Sequence, residues 1–216
     1  MLLSSTYFGP VQWYSKLCHS TGPCIMIEAH ETFVKQTYRN RCVIATANGP
    51  QSLTVPVTHG NNSTTDISGL LISDHGNWRH LHWQALQTAY GESAFFEYYE
   101  DDLRPFFTER RWERLIDFNM DITRTMCRLL DIDVNLQLTS DFAAPATPAA
   151  TDDWRYAIRP KNPMPDPSFT PRPYYQVYRE RHGFLPNLSV LDLLFNEGPQ
   201  AILYLVPSQP PPGGRG

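Results

Sequence analysis

A polar segment with no acidic residue, residues 35–41, lies between two apolar stretches near the start of the chain. It combines cations with amides: Lys35, Gln36, Arg39, Asn40 and Arg41. A guanidinium group donates several hydrogen bonds in one plane, which suits a carboxylate or a phosphate. We therefore predict that these five side chains bind an anionic or carbonyl-bearing small molecule.

The alternative is that the arginines are paired internally. If residues 37–47 form one strand, Arg39 and Arg41 lie on the same face and can hold one anion together. Because a buried arginine is nearly always paired, acids such as Glu92, Asp101 or Asp102 can take that place instead. The sequence leaves both interpretations open.

A second candidate lies in residues 74–83, where three histidines occur within eight residues. The apolar spacing favours a helix, on which His80 and His82 point away from each other. Zinc needs three or four ligands that converge, so we predict no metal site. We predict instead that His80 is a general base, because imidazole titrates near neutral pH. The alternative is that His80 is bonded to a backbone carbonyl beside Trp78.

A third candidate is Asn187, which precedes a final apolar helix. The start of a helix attracts anions, so Asn187 is a candidate binding residue. It is also a plausible helix cap without any function, as is Ser189. The sequence contains no phosphate-binding loop and no GxGxxG motif, so it names no nucleotide cofactor.

The elements that must position these residues begin with a strand (2–8), a helix (11–19) and an apolar strand (24–27). This order predicts a parallel pair with a crossover. Residues 41–47 and 52–57 flank a turn with Gly49 and predict a hairpin. Helical spacing follows at 81–90, 95–107, 112–130 and 190–195. We predict an α/β fold in which a small mixed sheet from the N-terminal half packs against helices from the middle and C-terminal segments.

The length of 216 residues and the 41% hydrophobic content suit a single domain, residues 1–206. We predict loops at the Pro/Ala-rich residues 141–151 and the Pro-rich residues 161–173, and a disordered tail at 207–216. The net charge of −4 argues against a nucleic-acid partner. No leader and no long apolar run is visible, so we expect a cytoplasmic protein without membrane insertion.

Five segments together resemble the WbqC-like family, in its Bacteroidetes-type branch. They are YFGPVQWYSKL (7–17), FVKQTYRNRCVI (33–44), SLTVPV (52–57), HGNWRHLHWQALQTAYGESAFFEYY (75–99) and GFLPNLSVLDLLFNEGPQA (183–201). Lys35, Asn40 and Arg41 match the family's Lys…Asn-Arg pattern, and Trp78 with His80 matches its Trp…His pattern. The Gln-Pro dipeptide of many members is replaced by Ser5-Thr6, so any role of that Gln is lost or has moved, with Gln12 as the candidate for a moved role.

The resemblance implies a transferase that moves an acyl or aminoacyl group to an amino sugar in O-antigen or surface-polysaccharide biosynthesis. Its substrate would be a small molecule or a sugar nucleotide, with Trp78 beside it. The alternative is a non-catalytic binding or accessory protein of a glycan-assembly complex. That alternative predicts an aromatic groove formed by Trp78, Trp83, Tyr98 and Tyr99. In a third interpretation the polar segment is only an ion-pair network.

Overall fold

The computed structural model describes residues 1–20, 22–58, 66–144 and 152–206. Its strands are β1 (Leu2–Ser4), β2 (Ile25–Glu28), β3 (Arg41–Thr46), β4 (Gly49–Thr54), β5 (Val57–Thr58), β6 (Leu71–Ile72) and β7 (Leu136–Leu138). Its helices are α1 (Val11–His19), α2 (Trp78–Tyr90), α3 (Phe96–Leu103), α4 (Pro105–Thr108), α5 (Leu115–Leu129), α6 (Arg179–His182), α7 (Val190–Glu197) and α8 (Ile202–Leu205). The predicted α/β class is confirmed.

Strands β1, β2 and β7 form a three-stranded parallel sheet in the order β1-β2-β7. Leu3 pairs with Ile27, and Ile27 pairs with Leu138. The predicted strand–helix–strand order is confirmed, since α1 connects β1 to the parallel β2. The third strand comes from residues 136–138, far along the chain, and the remaining strands form two separate antiparallel pairs.

The predicted hairpin is formed by β3 and β4, which pair from Arg41 with Thr54 to Thr46 with Gly49. Gly49 has a φ of 101°, which a glycine adopts without steric cost. The strand begins at Arg41, as the predicted hairpin has it, and residues 37–40 form turns, so the single strand over 37–47 that would align two arginines does not form. The backbone carbonyls of Tyr38 and Asn40 accept hydrogen bonds from the amides of Tyr7 and Val55. These bonds hold the turns against the sheet and the hairpin.

The predicted helix over residues 95–107 is divided into α3 and α4, and Pro105 is the first residue of α4. A proline fits the first turn of a helix, where its missing N–H is not needed. The aromatic rings of Tyr7, Trp78, Phe106 and Phe118 contact one another at the centre of the core, with ring centroids 5.9 to 6.4 Å apart. The helices therefore meet on a largely aromatic core.

Helix α7 is buried along seven of its eight residues. The Ser189 side chain caps it by accepting a hydrogen bond from the Leu191 amide. The Asp192 carboxylate accepts hydrogen bonds from the hydroxyls of Tyr90 (2.9 Å) and Tyr174 (2.7 Å) and from the amide of Gln176 (2.9 Å). This buried acid thus joins α7 to α2 and to residues 174–176.

The Pro-rich residues 161–173 contain neither helix nor strand. They are fixed to α1 by a buried ion pair, in which Nζ of Lys16 lies 2.6 Å from Oδ2 of Asp166. The Lys16 ammonium also donates to the Ser168 hydroxyl and lies 3.6 Å from the centroid of the Trp154 ring. The ion pair thereby fixes the Pro-rich segment against α1.

Most of the predicted 141–151 loop and all of the predicted tail at 207–216 lie outside the described residues. Among the helices that are described, no segment has the length and apolar character needed to cross a membrane.

Candidate functional site

A polar cleft of about 170 Å³ lies where α2 begins and faces α4. It is lined by Asp74, Asn77, Trp78, Arg79, His80, Phe107, Thr108 and Arg110. Gly76 (φ 78°) and Asn77 (φ 48°) have left-handed backbones immediately before the helix. Glycine and asparagine tolerate this conformation better than other residues. The sharp turn they form places Asp74 opposite the first turn of α2.

Two arginines give the cleft an excess of positive charge. Arg79 is only 7% exposed and its Nη1 donates to the Asp74 carboxylate. Nη1 of Arg110 lies 3.4 Å from the other oxygen of Asp74. One carboxylate therefore faces two guanidinium groups, and the net positive charge of the three groups favours the binding of an anion.

The Nε atom of Arg79 is buried, and it has no hydrogen-bond partner among the described residues. The Arg79 guanidinium also lies 4.4 Å from the centroid of the Trp78 ring. Leaving a buried donor unpaired costs about 1–3 kcal/mol, so a water molecule bound at this atom would be favourable.

His80 is exposed in the first turn of α2, and its ring makes no hydrogen bond within the described part of the chain. It lines the cleft together with both arginines. An imidazole that is open to solvent and close to fixed positive charge can accept a proton from a substrate bound there. The bonding to a backbone carbonyl that the sequence left open for His80 does not occur within the described residues.

His82 has the opposite environment. It is buried, its Nδ1 lies 2.9 Å from the Tyr7 hydroxyl, and burial lowers its pKa to about 4. The two histidines therefore point away from each other, as the helical spacing predicts. In the residues that the structure describes, no group of three or more His, Cys, Asp or Glu side chains is arranged to hold a metal ion.

Trp78 lines the cleft, but it is 4% exposed and its indole N–H donates to the Ser73 carbonyl at 2.8 Å. Trp83 and Tyr99 are also buried, and only Tyr98 of the four predicted groove aromatics is exposed, at 72%. The predicted aromatic groove is therefore wrong, because three of its members belong to the core.

The acid-free segment 35–41 is divided between the surface and the interior. Arg39 is buried and pairs with both oxygens of Glu31, with Nε 2.7 Å from Oε1. The side-chain amide of Asn40 donates to the Val55 carbonyl at 2.8 Å. Arg41 is partly exposed, and its Nε donates to the Thr54 hydroxyl at 3.2 Å. The predicted arginine pair on one strand face is wrong, because Arg39 precedes the strand.

Lys35 and Gln36 are exposed. Gln36 has a φ of 61°, and its side-chain oxygen lies 3.3 Å from Nζ of Lys161. Among the described residues that line the cleft at α2, none belongs to residues 35–41. The exposed members of the segment therefore do not form part of that cleft.

A buried charge cluster closes the carboxyl ends of β1 and β2, the edge where many α/β proteins bind ligands. Arg155 is fully buried between Glu28 (2.8 Å) and Asp153 (2.6 Å). Arg39 donates to the Ser4 hydroxyl at 2.8 Å. The guanidinium groups of Arg39 and Arg155 are thus matched by acids at this edge.

Asn187 does not cap α7, and Ser189 has that role. Asn187 has a φ of 57°, accepts a hydrogen bond from the backbone amide of Gln12 at 2.9 Å and donates to the Gln12 side chain at 3.2 Å. Gln12 in turn donates to Asp166 at 2.8 Å. Asn187 therefore joins the start of α1 to the C-terminal segment.

Cys18, Cys42 and Cys127 are not activated nucleophiles. Burial raises the pKa of the Cys18 and Cys127 thiols to about 12, and it raises that of Cys42 further. A thiol in such surroundings stays protonated at neutral pH.

Sequence reasoning passed over Arg79, Arg110 and Asp74 as site residues. Arg79 lies between Trp78 and His80, so the Trp…His pattern could have indicated it as a site residue. No sequence pattern indicated Arg110, because α3 and α4 separate it from α2 in sequence.

Comparison with known proteins agrees with the resemblance. The family model described as "WbqC-like protein family" matches residues 5–158. An uncharacterised protein of Mycobacterium tuberculosis, Rv1507c, is 29% identical over 193 residues, which cover 80% of this chain and 83% of that protein. No solved structure matches the chain. The family match spans β2, β7, the hairpin and the cleft at α2, and this chain belongs to the WbqC-like protein family.

Proposed function

We propose that this protein is a cytoplasmic transferase that moves an acyl or aminoacyl group onto an amino sugar, a precursor of O-antigen or another surface polysaccharide. The observation that carries the proposal is the cleft at the start of α2. There an open imidazole, His80, shares one small polar space with two guanidinium groups. Acyl transfer to an amine needs a base and a stabiliser of negative charge together.

In the proposed reaction the acceptor amine attacks the carbonyl carbon of an activated acyl donor. A carbon–nitrogen bond forms, the bond between that carbon and the leaving group breaks, and His80 takes the proton released by the amine. Arg79 and Arg110 stabilise the negative charge that develops on the carbonyl oxygen. The proton passes from His80 to the leaving group, which returns the imidazole to its neutral form.

The exposed members of residues 35–41 are proposed to bind the anionic part of the donor or sugar nucleotide. Lys35, Gln36 and Arg41 reach solvent, whereas Arg39 and Asn40 are bonded internally and fix the shape of the segment. We therefore assign substrate contacts to the first three and a positioning role to the last two. Asn187 and Trp78 are likewise proposed to shape the protein around the ligand.

The experiment measures acyl transfer from an acyl thioester to a sugar-nucleotide amine. His80→Ala is expected to lower kcat by about 10²–10⁴-fold, the usual contribution of a general base. His75→Ala is the matched control, since His75 is exposed and precedes the same helix but does not line the cleft. Equal turnover in the two variants would overturn the role of His80. Binding of the sugar nucleotide without any turnover in the unmodified protein would favour the non-catalytic alternative.

A further inference from the structure

A second groove, of about 340 Å³, separates the β3–β4 turn from α2. Its volume lies in the range of small-molecule sites. It is lined by Thr46, Ala47, Asn48 and Gln51 of the hairpin, Leu81, Gln84, Ala85, Thr88 and Ala89 of α2, and Tyr178. Apart from the Tyr178 phenol, none of these side chains is ionisable.

The polar groups in this groove are available for a ligand. The side-chain amides of Asn48, Gln51 and Gln84 make no hydrogen bond within the described part of the chain, and each offers both a donor and an acceptor. An ion in the groove would lack a counter-charge. The lining therefore favours a neutral ligand that is rich in hydroxyl groups.

Hydrogen bonds hold both walls of the groove in place. The ring nitrogen Nε2 of His182 lies 3.2 Å from each of the carbonyl oxygens of Thr46 and Ala47. The Tyr178 hydroxyl donates to the Thr88 carbonyl at 3.4 Å. The hairpin wall and the α2 wall are thus both tied to residues 178–182.

An apolar strip completes the lining. Ala85 and Ala89 follow Leu81 at helical spacing, and Leu81 is 55% exposed although it is a large apolar residue. Amides beside an apolar strip complement a sugar ring, which presents hydroxyls at its edge and C–H bonds on its faces. A simple phosphate or a fatty chain would use only one of these two features.

The cleft and the groove have lining residues one turn apart on α2. His80 of the cleft and Gln84 of the groove are four residues apart, and residues at this spacing are neighbours on one helix face. Four residues span about 6 Å of helix axis, a distance that one sugar ring covers. We infer that this groove binds the neutral ring of the sugar substrate and presents its substituent to His80. This inference rests on the proposed function.

The test is a titration of ¹⁵N-labelled protein followed by NMR, with N-acetylglucosamine as the neutral probe and inorganic phosphate as the anionic one. N-acetylglucosamine is expected to shift the amide signals of Asn48, Gln51 and Gln84 in a saturable way. Phosphate is expected to shift those of Arg79 and His80 instead.

Gln84→Ala is expected to raise the Kd for N-acetylglucosamine about fivefold to tenfold, as the loss of one or two hydrogen bonds would. Gln87→Ala is the matched control, because Gln87 is exposed on the same helix but does not line the groove. Both positions are at the surface, so both variants are expected to fold.

Three outcomes would overturn the inference: no saturable shifts in the groove, the same Kd in the Gln84→Ala and Gln87→Ala variants, or groove shifts caused equally by phosphate. The His80→Ala variant separates this inference from the proposed function. Unchanged sugar binding with lost transfer supports both, whereas unchanged sugar binding with unchanged transfer overturns only the role of His80.

Discussion

His80 and His82 show how burial separates two residues of the same type. They are two positions apart in α2, yet His80 is open to the cleft and His82 is enclosed beside Tyr7. The helical period of residues 81–90 predicted this divergence. The same reasoning could not say that a tyrosine 75 positions away would be the partner of His82.

We expect the free energy of unfolding to fall as the pH decreases from about 6.5 to about 4, because of His82. The pKa of His82 is lowered from 6.5 to about 4 in the folded protein. Within that range the unfolded chain binds a proton that the folded protein does not, so acid favours unfolding. The full effect is roughly 2–3 kcal/mol.

Urea unfolding measured at several pH values checks this expectation. His82→Gln keeps a hydrogen-bonding side chain beside Tyr7 but does not titrate, and it should flatten the slope in this range. His19, whose pKa is also lowered by burial, contributes equally to both proteins and cancels in the comparison. A slope that is the same in His82→Gln and the unmodified protein would contradict the assignment.

The polar segment 35–41 marks the limit of prediction for single residues. Its composition pointed to a binding function and, as an alternative, to internal pairing. Arg39 follows the alternative, whereas the binding function of the exposed Lys35 and Gln36 and of the partly exposed Arg41 stays a prediction. Arg39 pairs with Glu31, only eight positions away, because the turns at residues 37–40 bring the chain back on itself. A strand at these residues would have carried Arg39 away from that acid, and the sequence has no local pattern that distinguishes the two arrangements.

Among the elements, α1 was predicted with its observed limits. Gly9-Pro10 precedes it, its apolar residues recur at helical spacing, and a turn follows. Strand β7 was missed, since three residues that alternate Leu-Gln-Leu carry too little pattern to distinguish a strand from a loop. Residues 136–138 become a strand because they pair with the free edge of β2, and that edge exists only after the sheet has formed.

The end of α7 depends on a glycine for two reasons. Gly198 has a φ of 54°, and a Cβ atom at this position would lie 2.5 Å from the ring of Phe95. We expect Gly198→Ala to lower the free energy of unfolding by roughly 2–5 kcal/mol, from backbone strain and overlap together. Chemical denaturation measures this loss.

Two other glycines separate these causes. Gly183→Ala should cost about 1–3 kcal/mol, because its φ is 70° but its Cβ would meet no atom within 4 Å. Gly69→Ala should leave the free energy of unfolding nearly unchanged, since Gly69 has no positive φ and its Cβ would meet no atom within 4 Å. A cost for Gly198→Ala no larger than that of Gly183→Ala would show that the contact with Phe95 is relieved by movement.

For the whole molecule, the α/β class followed from the order of periodic segments, but the contacts that join distant segments did not. Arg155 meets Glu28 across 127 positions, and Tyr90 meets Asp192 across 102. No local pattern encodes such pairs. They depend on how the helices pack once the sheet has formed.

The ion pair between Lys16 and Asp166 is expected to contribute to stability through its burial. The side chains are 2% and 4% exposed, so removing one partner leaves an uncompensated charge in the interior. Lys16→Met and Asp166→Asn should each cost about 3–5 kcal/mol. The double variant should cost clearly less than the sum of the two.

The exposed pair of Arg128 and Asp102 is the matched control. Its separation is similar, at 2.8 Å, but its side chains are 63% and 38% exposed. Asp102→Asn should change the free energy of unfolding by less than about 1 kcal/mol. Equal losses for Asp102→Asn and Asp166→Asn would show that burial does not decide the strength of these pairs.

The position of α7 has a consequence for how the chain is made. This helix is inserted between earlier segments: the amides of Val11, Ser189 and Val190 bond to the carbonyls of Leu188, Val43 and Gly9, respectively. A ribosome releases residues 190–197 after nearly all of their partners. Until then the growing protein exposes the apolar surface that α7 covers, and the Tyr90 hydroxyl lacks the Asp192 carboxylate as its acceptor. The chain therefore cannot complete this part of its core until residues 190–197 have been made, although the residues that α7 contacts are made long before.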